Sequence, residues 1–271
     1  MATAYTALES ADYDKTSDLI ADLDAAFEAN PDQGRLAFYA GTMRLWRGTG
    51  GPREPAEVLD DVLGAIDKFE QARALRPEDP HVNAFLGITQ VALGNVLGEA
   101  QRIDTGRTVL VDGIRFYPPY VNGVRTQALG MLARDHQYFP QAIDAMHETL
   151  AACGVQASGE TDLRITYPSA ASSPQSTCWN SGKVDHVWEG IFLIYGDVLV
   201  KSGDPSLGKQ LYETAKQSPT FDTWPFADEL EARIAGAEQR AALYQDADRT
   251  NDPPTWMEQR NLCVGCHASK R

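Results

Sequence analysis

Small and large apolar positions follow one another along this chain in a recurring frame. In Ala65-Ile-Asp-Lys-Phe69-Glu-Gln-Ala72-Arg-Ala-Leu-Arg-Pro77, a small residue is followed four positions on by a large one, three later by a second small one, and at offset twelve by proline. Steps of three and four keep these residues on one face of a helix, and the proline ends it. The frame recurs at Leu19, Leu23, Ala26 and Pro31, and at Gly106, Leu110, Gly113 and Pro118. Weaker copies are Ala142, Met146 and Thr149, without the proline, and Gly208, Tyr212 and Ala215, with Pro219 one place early. A second frame precedes each copy after the first: Ala40-Gly41, Leu86-Gly87, Leu129-Gly130 and Tyr195-Gly196, each expected in mid-helix. Two antiparallel helices cross closely only where a side chain is small. The two frames therefore predict helical hairpins. Beyond them, Phe226, Leu230, Ile234, Ala237, Ala241 and Tyr244 form one apolar stripe, which predicts a single helix over 226–247.

On these residues the chain resembles the tetratricopeptide-repeat superfamily over roughly 15–220, with the best copy between Ala65 and Gly94. The resemblance implies an all-α fold, a divergent tetratricopeptide-like array (α-α superhelix) whose surface docks a partner protein. The copies begin at 19, 65, 106, 142 and 208, an irregular spacing against the family's repeat of about 34 residues. Insertions account for it: Gly48 to Pro55 reads as a loop, and 154–185, rich in Ser, Pro, Gly and Thr, as a longer one. The expected organisation is a repeat region over 1–225 and a capping helix with a C-terminal segment over 226–271. Arrays of this kind need a terminal cap.

Composition sharpens the class. A formal net charge of −14 disfavours nucleic acid and anionic membrane surfaces as partners. If the chain has a redox partner, that partner is expected to present a basic patch. Nothing approaches the apolar run that a membrane span needs, so no transmembrane segment is expected.

The chemistry is concentrated in Cys263-Val264-Gly265-Cys266-His267. C-x-x-C-H is the attachment sequence of c-type haem: two thiols form thioethers to the porphyrin edge and the histidine ligates the iron. A thioredoxin-like pair would sit at a strand-to-helix junction in an α/β pattern, which this helical sequence lacks. A zinc site would want four ligands, and Cys153 and Cys178 lack the partner spacing. One covalent haem c is thus expected on Cys263 and Cys266, with His267 as proximal iron ligand. Such haem is attached outside the bacterial cytoplasm. The expectation is accordingly a periplasmic protein from which a signal peptide or lipid anchor has been removed. The two remaining cysteines then have an oxidising compartment in which to pair. A Cys153–Cys178 bridge would stabilise by about 3 kcal/mol in the chain-entropy account; two free thiols are the other reading.

The group facing His267 across the iron decides the chemistry. A motif this near the end resembles that of cytochromes c′, which often leave the sixth site empty. Among upstream residues, His186 adjoins both the helix over 187–201 and the long insertion and is the best-placed distal candidate. His81 and His136 fall in polar surroundings and His147 within a helix. Met43, Met131 and Met146 read as core filling. Met257, on one continuous helix with His267, would lie about 15 Å away. Trp179, Trp188, Trp224 and Trp256 are candidates to pack on a porphyrin or, equally, core residues. Three functions stay open: one-electron transfer by a six-coordinate cytochrome, a five-coordinate haem protein that binds or reduces nitric oxide, carbon monoxide or peroxide, and a protein-binding array whose haem is structural.

Overall fold

The computed structural model describes residues 13–50, 53–153, 163, 165–168, 178 and 186–256. Cys263, Cys266, His267, Met257, Trp179 and most of the insertion lie outside them. Among the described residues the regular elements are eleven α-helices with three short 3-10 turns. The helices are α1 (Thr16–Ala29), α2 (Gly34–Thr49), α3 (Pro55–Leu75), α4 (Pro80–Leu97), α5 (Ala100–Gly113), α6 (Pro118–Gly130), α7 (Pro140–Ala152), α8 (Val187–Ser202), α9 (Pro205–Ala215), α10 (Ala227–Ala235) and α11 (Ala237–Gln245). The fold class is all-α.

Local chemistry explains several boundaries. Pro80 opens α4 behind Asp79, whose carboxylate accepts from the His81 backbone N–H at 3.0 Å. Pro205 opens α9 behind Asp204, which accepts from Leu207 N–H at 2.9 Å. A proline lacks an N–H that the first turn could not have used, and the carboxylate satisfies one that it leaves orphaned. Pro118, expected to end a helix, instead starts α6, where its missing N–H goes unneeded in the first turn.

The chain forms two compact units, one running through Arg125 and one beginning at Thr126. In the first, α2 packs antiparallel on α3 and α4 on α5. A Cβ on Gly41 would meet the Phe69 ring at 2.7 Å and the Ala65 carbonyl at 3.1 Å. A Cβ on Gly87 would meet Leu110 at 2.5 Å and the Gly106 carbonyl at 2.9 Å. In the second unit α8 crosses α9 in the same register: a Cβ on Gly196 would lie 2.2 Å from the Tyr212 ring, and one on Gly208 would lie 3.0 Å from the Gly196 carbonyl. Three helix pairs thus close on matching positions of the two sequence frames. The large frame residue is a core centre each time. Phe69 joins Phe38 and Phe85, with ring centroids 5.5–5.8 Å apart, while Leu110 and Tyr212 are fully buried. Leu129-Gly130 differs from expectation, because α6 ends at Gly130 and the pair does not fall in mid-helix.

α8 is buried on nearly every side, from Trp188 to Lys201. A helix apolar all round belongs inside its unit. α9 and α11 pack against it and α7 touches it, while α10 packs on α9. The stripe over 226–247 is divided into α10 and α11, and Gly236 (φ −97°, ψ 6°) is the break. Glycine destabilises a helix interior by about 1 kcal/mol relative to alanine, and here two short helices each present their share of the stripe. Cys153, after α7, and Cys178 form a disulfide with Cα atoms 5.7 Å apart, so the insertion is tied at its base. No helix among the described residues is long and apolar enough to cross a membrane.

Candidate functional site

Seven positions before Cys263, the chain is gripped by the second unit. Asp197, on the second half of α8, has no solvent exposure. Its Oδ2 accepts from the Trp256 backbone N–H at 2.6 Å and its Oδ1 from the Tyr212 hydroxyl at 2.7 Å. Two arginines converge on the same place. Arg233 of α10 lies 3.4 Å from Asp197 Oδ1 and Arg240 of α11 lies 3.7 Å from it. Both also donate to the Pro254 carbonyl, at 2.8 and 2.9 Å. The Tyr244 hydroxyl donates to the Pro253 carbonyl. Proline offers no N–H, so Pro253-Pro254 can be held only through carbonyls, and guanidinium and phenol groups supply the donors. The segment therefore ends in a polar clasp below and an aromatic clamp above. Trp256 packs against Phe226 and Trp224, with centroids 5.7 and 6.3 Å away, and is itself 1% exposed. The indole N–H of Trp224 is buried and has no acceptor among the described residues.

Burial pushes the Asp197 carboxyl up to about 6, against the pull of Arg240, the Trp256 N–H and the Tyr212 hydroxyl; Glu229 adds to the rise. Arg233 is nearer than Arg240 but shares its charge with Glu229, at 2.8 Å, and with Pro254. A carboxyl raised in the folded state takes up a proton there before the unfolded chain does. Its contribution to stability therefore grows as pH falls through about 6 and stops growing below the ordinary aspartate value near 4. Wild type is expected to gain on the order of 1 kcal/mol between pH 7 and pH 5 relative to Asp197→Asn. Paired urea melts at the two pH values measure this, and parallel pH dependence in both proteins would refute it.

His186 lies in the same unit, at the entrance to α8. It is 3% exposed and is the one non-glycine residue with positive φ, 62°, among those described. Backbone in that region costs a non-glycine residue free energy and persists only where its surroundings hold it. Here Nδ1 sits 3.2 Å from Glu189 Oε1, which also accepts from the Thr220 hydroxyl at 2.9 Å. Thr220 leads into the turn Phe221–Thr223 and so to Trp224. The distal candidate and the clamp on Trp256 thus belong to connected structure.

The other histidines are elsewhere. His81 is exposed, with its ring 4.7 Å from that of Tyr120. His136 accepts from the Tyr138 N–H at 3.2 Å. His147 is exposed. Met43 and Met146 are fully buried and Met131 nearly so, as core residues. Trp188 is also core, its indole N–H donating to the Thr214 carbonyl at 2.8 Å. Among the described residues no group of three or more His, Cys, Asp or Glu side chains is placed to hold a metal ion. Asp197, Arg233 and Arg240 carry no local signal of this cluster in the sequence, because the three lie on different helices and meet only in the fold; Tyr212 is marked there only as a packing position. Comparison of the chain with protein-family models, with curated proteins and with solved structures finds no match in any of the three.

Proposed function

We propose that this protein is a monohaem c-type cytochrome that transfers single electrons outside the cytoplasm. The observation that carries the reading is the clasp: a buried Asp–Arg–Arg–Tyr cluster and three aromatic rings fix the chain at Pro253–Trp256, directly upstream of the C-x-x-C-H sequence. A haem tethered by Cys263 and Cys266 and ligated by His267 would emerge from a firm base. The surroundings suit the group. Trp256 is buried against Trp224 and Phe226 and so holds the tether rather than facing the porphyrin, and the buried indole N–H of Trp224 is a donor of the kind that pairs with a propionate. The haem supplies a one-electron iron couple whose potential follows its axial ligands and their burial. The chain's own part is to anchor the tether, exclude water around Trp256 and orient the ligands. The Cys153–Cys178 disulfide fits an oxidising compartment such as the periplasm. The matching helix pairs support a divergent tetratricopeptide-like array as the docking scaffold, and the acidic surface favours a partner with a basic patch.

His186 is assigned as the sixth ligand. Iron-ligating histidines almost always give their other ring N–H to a carboxylate or carbonyl, and Nδ1 of His186 has Glu189 in that role. The constrained backbone at His186 is what an oriented ligand needs. The reduced protein is expected to show a low-spin c-type spectrum unaffected by carbon monoxide, and His186→Ala is expected to become high-spin and bind it. A wild-type protein that is already high-spin and takes up carbon monoxide would move the reading to the five-coordinate class. A wild-type protein without haem would end it.

A further inference from the structure

We infer that Thr220 is a positioning residue for His186: acting through Glu189, it fixes which ring nitrogen carries the proton and which keeps its lone pair. This rests on His186 as the sixth ligand. Thr220 Oγ1 donates to Glu189 Oε1 at 2.9 Å. The same Oε1 lies 3.2 Å from His186 Nδ1. A hydroxyl carries one proton. With that proton given to Glu189, the Ser218 hydroxyl, 2.9 Å from Thr220 Oγ1, is the donor between those two. Ser218 Oγ in turn accepts from the Thr220 backbone N–H at 3.3 Å, which ties the turn to itself. A carboxylate oxygen accepts and does not donate. The polarity of the row therefore puts the proton of the neutral ring on Nδ1. Nε2 is left as the unprotonated nitrogen, the form in which an imidazole ligates a metal.

Burial gives the row its force. Glu189 is 1% exposed, His186 3% and Ser218 6%. A buried carboxylate requires donors, and Thr220 and His186 supply two. The end of α9 and the turn behind it grip the first turn of α8 twice. The Trp188 indole N–H donates to the Thr214 carbonyl at 2.8 Å, and Glu189 accepts from Thr220. The φ of 62° at His186, one residue before α8, fixes the direction in which the ring leaves the backbone. From Thr220 the chain passes through Phe221–Thr223 to Trp224, whose backbone N–H donates to the Phe221 carbonyl at 2.9 Å. One turn thus carries both the hydroxyl that orients His186 and the indole that clamps Trp256.

The haem-free full chain, Cys263→Ala with Cys266→Ala, and the holoprotein test this together. In the haem-free chain, nitrogen NMR is expected to find the neutral His186 ring protonated on Nδ1, with that proton slow to exchange. Thr220→Val keeps the side-chain shape and deletes the hydroxyl. It is expected to speed the exchange about tenfold, and Thr220→Ser to leave it slow. Glu189→Gln is expected to speed it at least as much, and it decides the matter if Thr220→Val fails to fold. In the reduced holoprotein, Thr220→Val is expected to take up carbon monoxide that wild type and Thr220→Ser refuse. A neutral ring protonated on Nε2, or exchange unchanged in the folded variants, overturns the inference and leaves the ligand reading in place. Faster exchange without carbon monoxide uptake confines Thr220 to a structural role and overturns it as well. A wild-type iron that takes up carbon monoxide as freely as His186→Ala removes the sixth-ligand reading itself, and the role of Thr220 toward the iron with it.

Discussion

A Cys263→Ala, Cys266→Ala double variant is expected to retain no haem after denaturation and acid-acetone extraction, where the wild-type protein keeps all of it. Both proteins would be made with an export signal and a c-type maturation system. Thioether bonds survive unfolding, while a ligated but untethered haem leaves with the solvent, so the effect is all or none. Each single variant retains one possible thioether and is expected to keep a reduced fraction of haem with a shifted spectrum. The residues that shape the second unit, from Asp197 to Trp256, are untouched, and the helical circular dichroism is expected to be unchanged. Haem-free wild-type protein under these conditions would dispose of the cytochrome reading.

Arg233→Ala is expected to cost about 3–5 kcal/mol of stability, the usual penalty for breaking a buried ion pair from one side. The side chain is 3% exposed and joins Asp197, Glu229 and the Pro254 carbonyl. Its removal leaves the Asp197 carboxylate with Arg240, at 3.7 Å, as its remaining cation beside the Tyr212 and Trp256 hydrogen bonds, and leaves Pro254 one donor short. Replacing the arginine by lysine is not expected to rescue it fully, since one ammonium cannot span three acceptors in the plane that a guanidinium covers. The loss should concentrate at the clasp. Limited proteolysis is expected to open the chain near Pro253–Trp256 well before global unfolding, and urea melts give the magnitude. A change under about 0.5 kcal/mol, with the segment still protected, would show that the clasp does not hold it.

The small–large frame marks helix contacts in the sequence itself. Gly41 against Ala65 and Phe69, Gly87 against Gly106 and Leu110, and Gly196 against Gly208 and Tyr212 are the pairs that the periodicity singles out. They were legible because close packing leaves a local mark: only a small residue fits where a helix crosses within reach of its neighbour's backbone. Boundaries were less legible. The stripe over 226–247 has helical spacing throughout, yet Gly236 separates α10 from α11, and Pro118 opens a helix where it was expected to close one. Periodicity reports which face is apolar and is blind to whether one rod or two carries it.

The chemistry divides along the same line. The C-x-x-C-H reading rests on a local pattern, two thiols and an imidazole at the fixed spacing that haem attachment would need, whereas Cys153 and Cys178 stood in the sequence as a pair or as two free thiols and the fold joins them. His186 was marked by its place beside a helix and an insertion. Its burial, its strained backbone and its Glu189 partner became visible only in the fold. Asp197, Arg233 and Arg240 look in sequence like ordinary charges on amphipathic helices. Burial and mutual neutralisation arise only when α8, α10 and α11 bring them to one point around Pro254 and Trp256. By itself, the sequence determined the helical class, the paired crossing points and the C-x-x-C-H pattern on which the haem proposal rests, because each depends on the local run of residue types. The clasp and the setting of His186 were decided by tertiary structure, because each depends on groups that only folding makes neighbours.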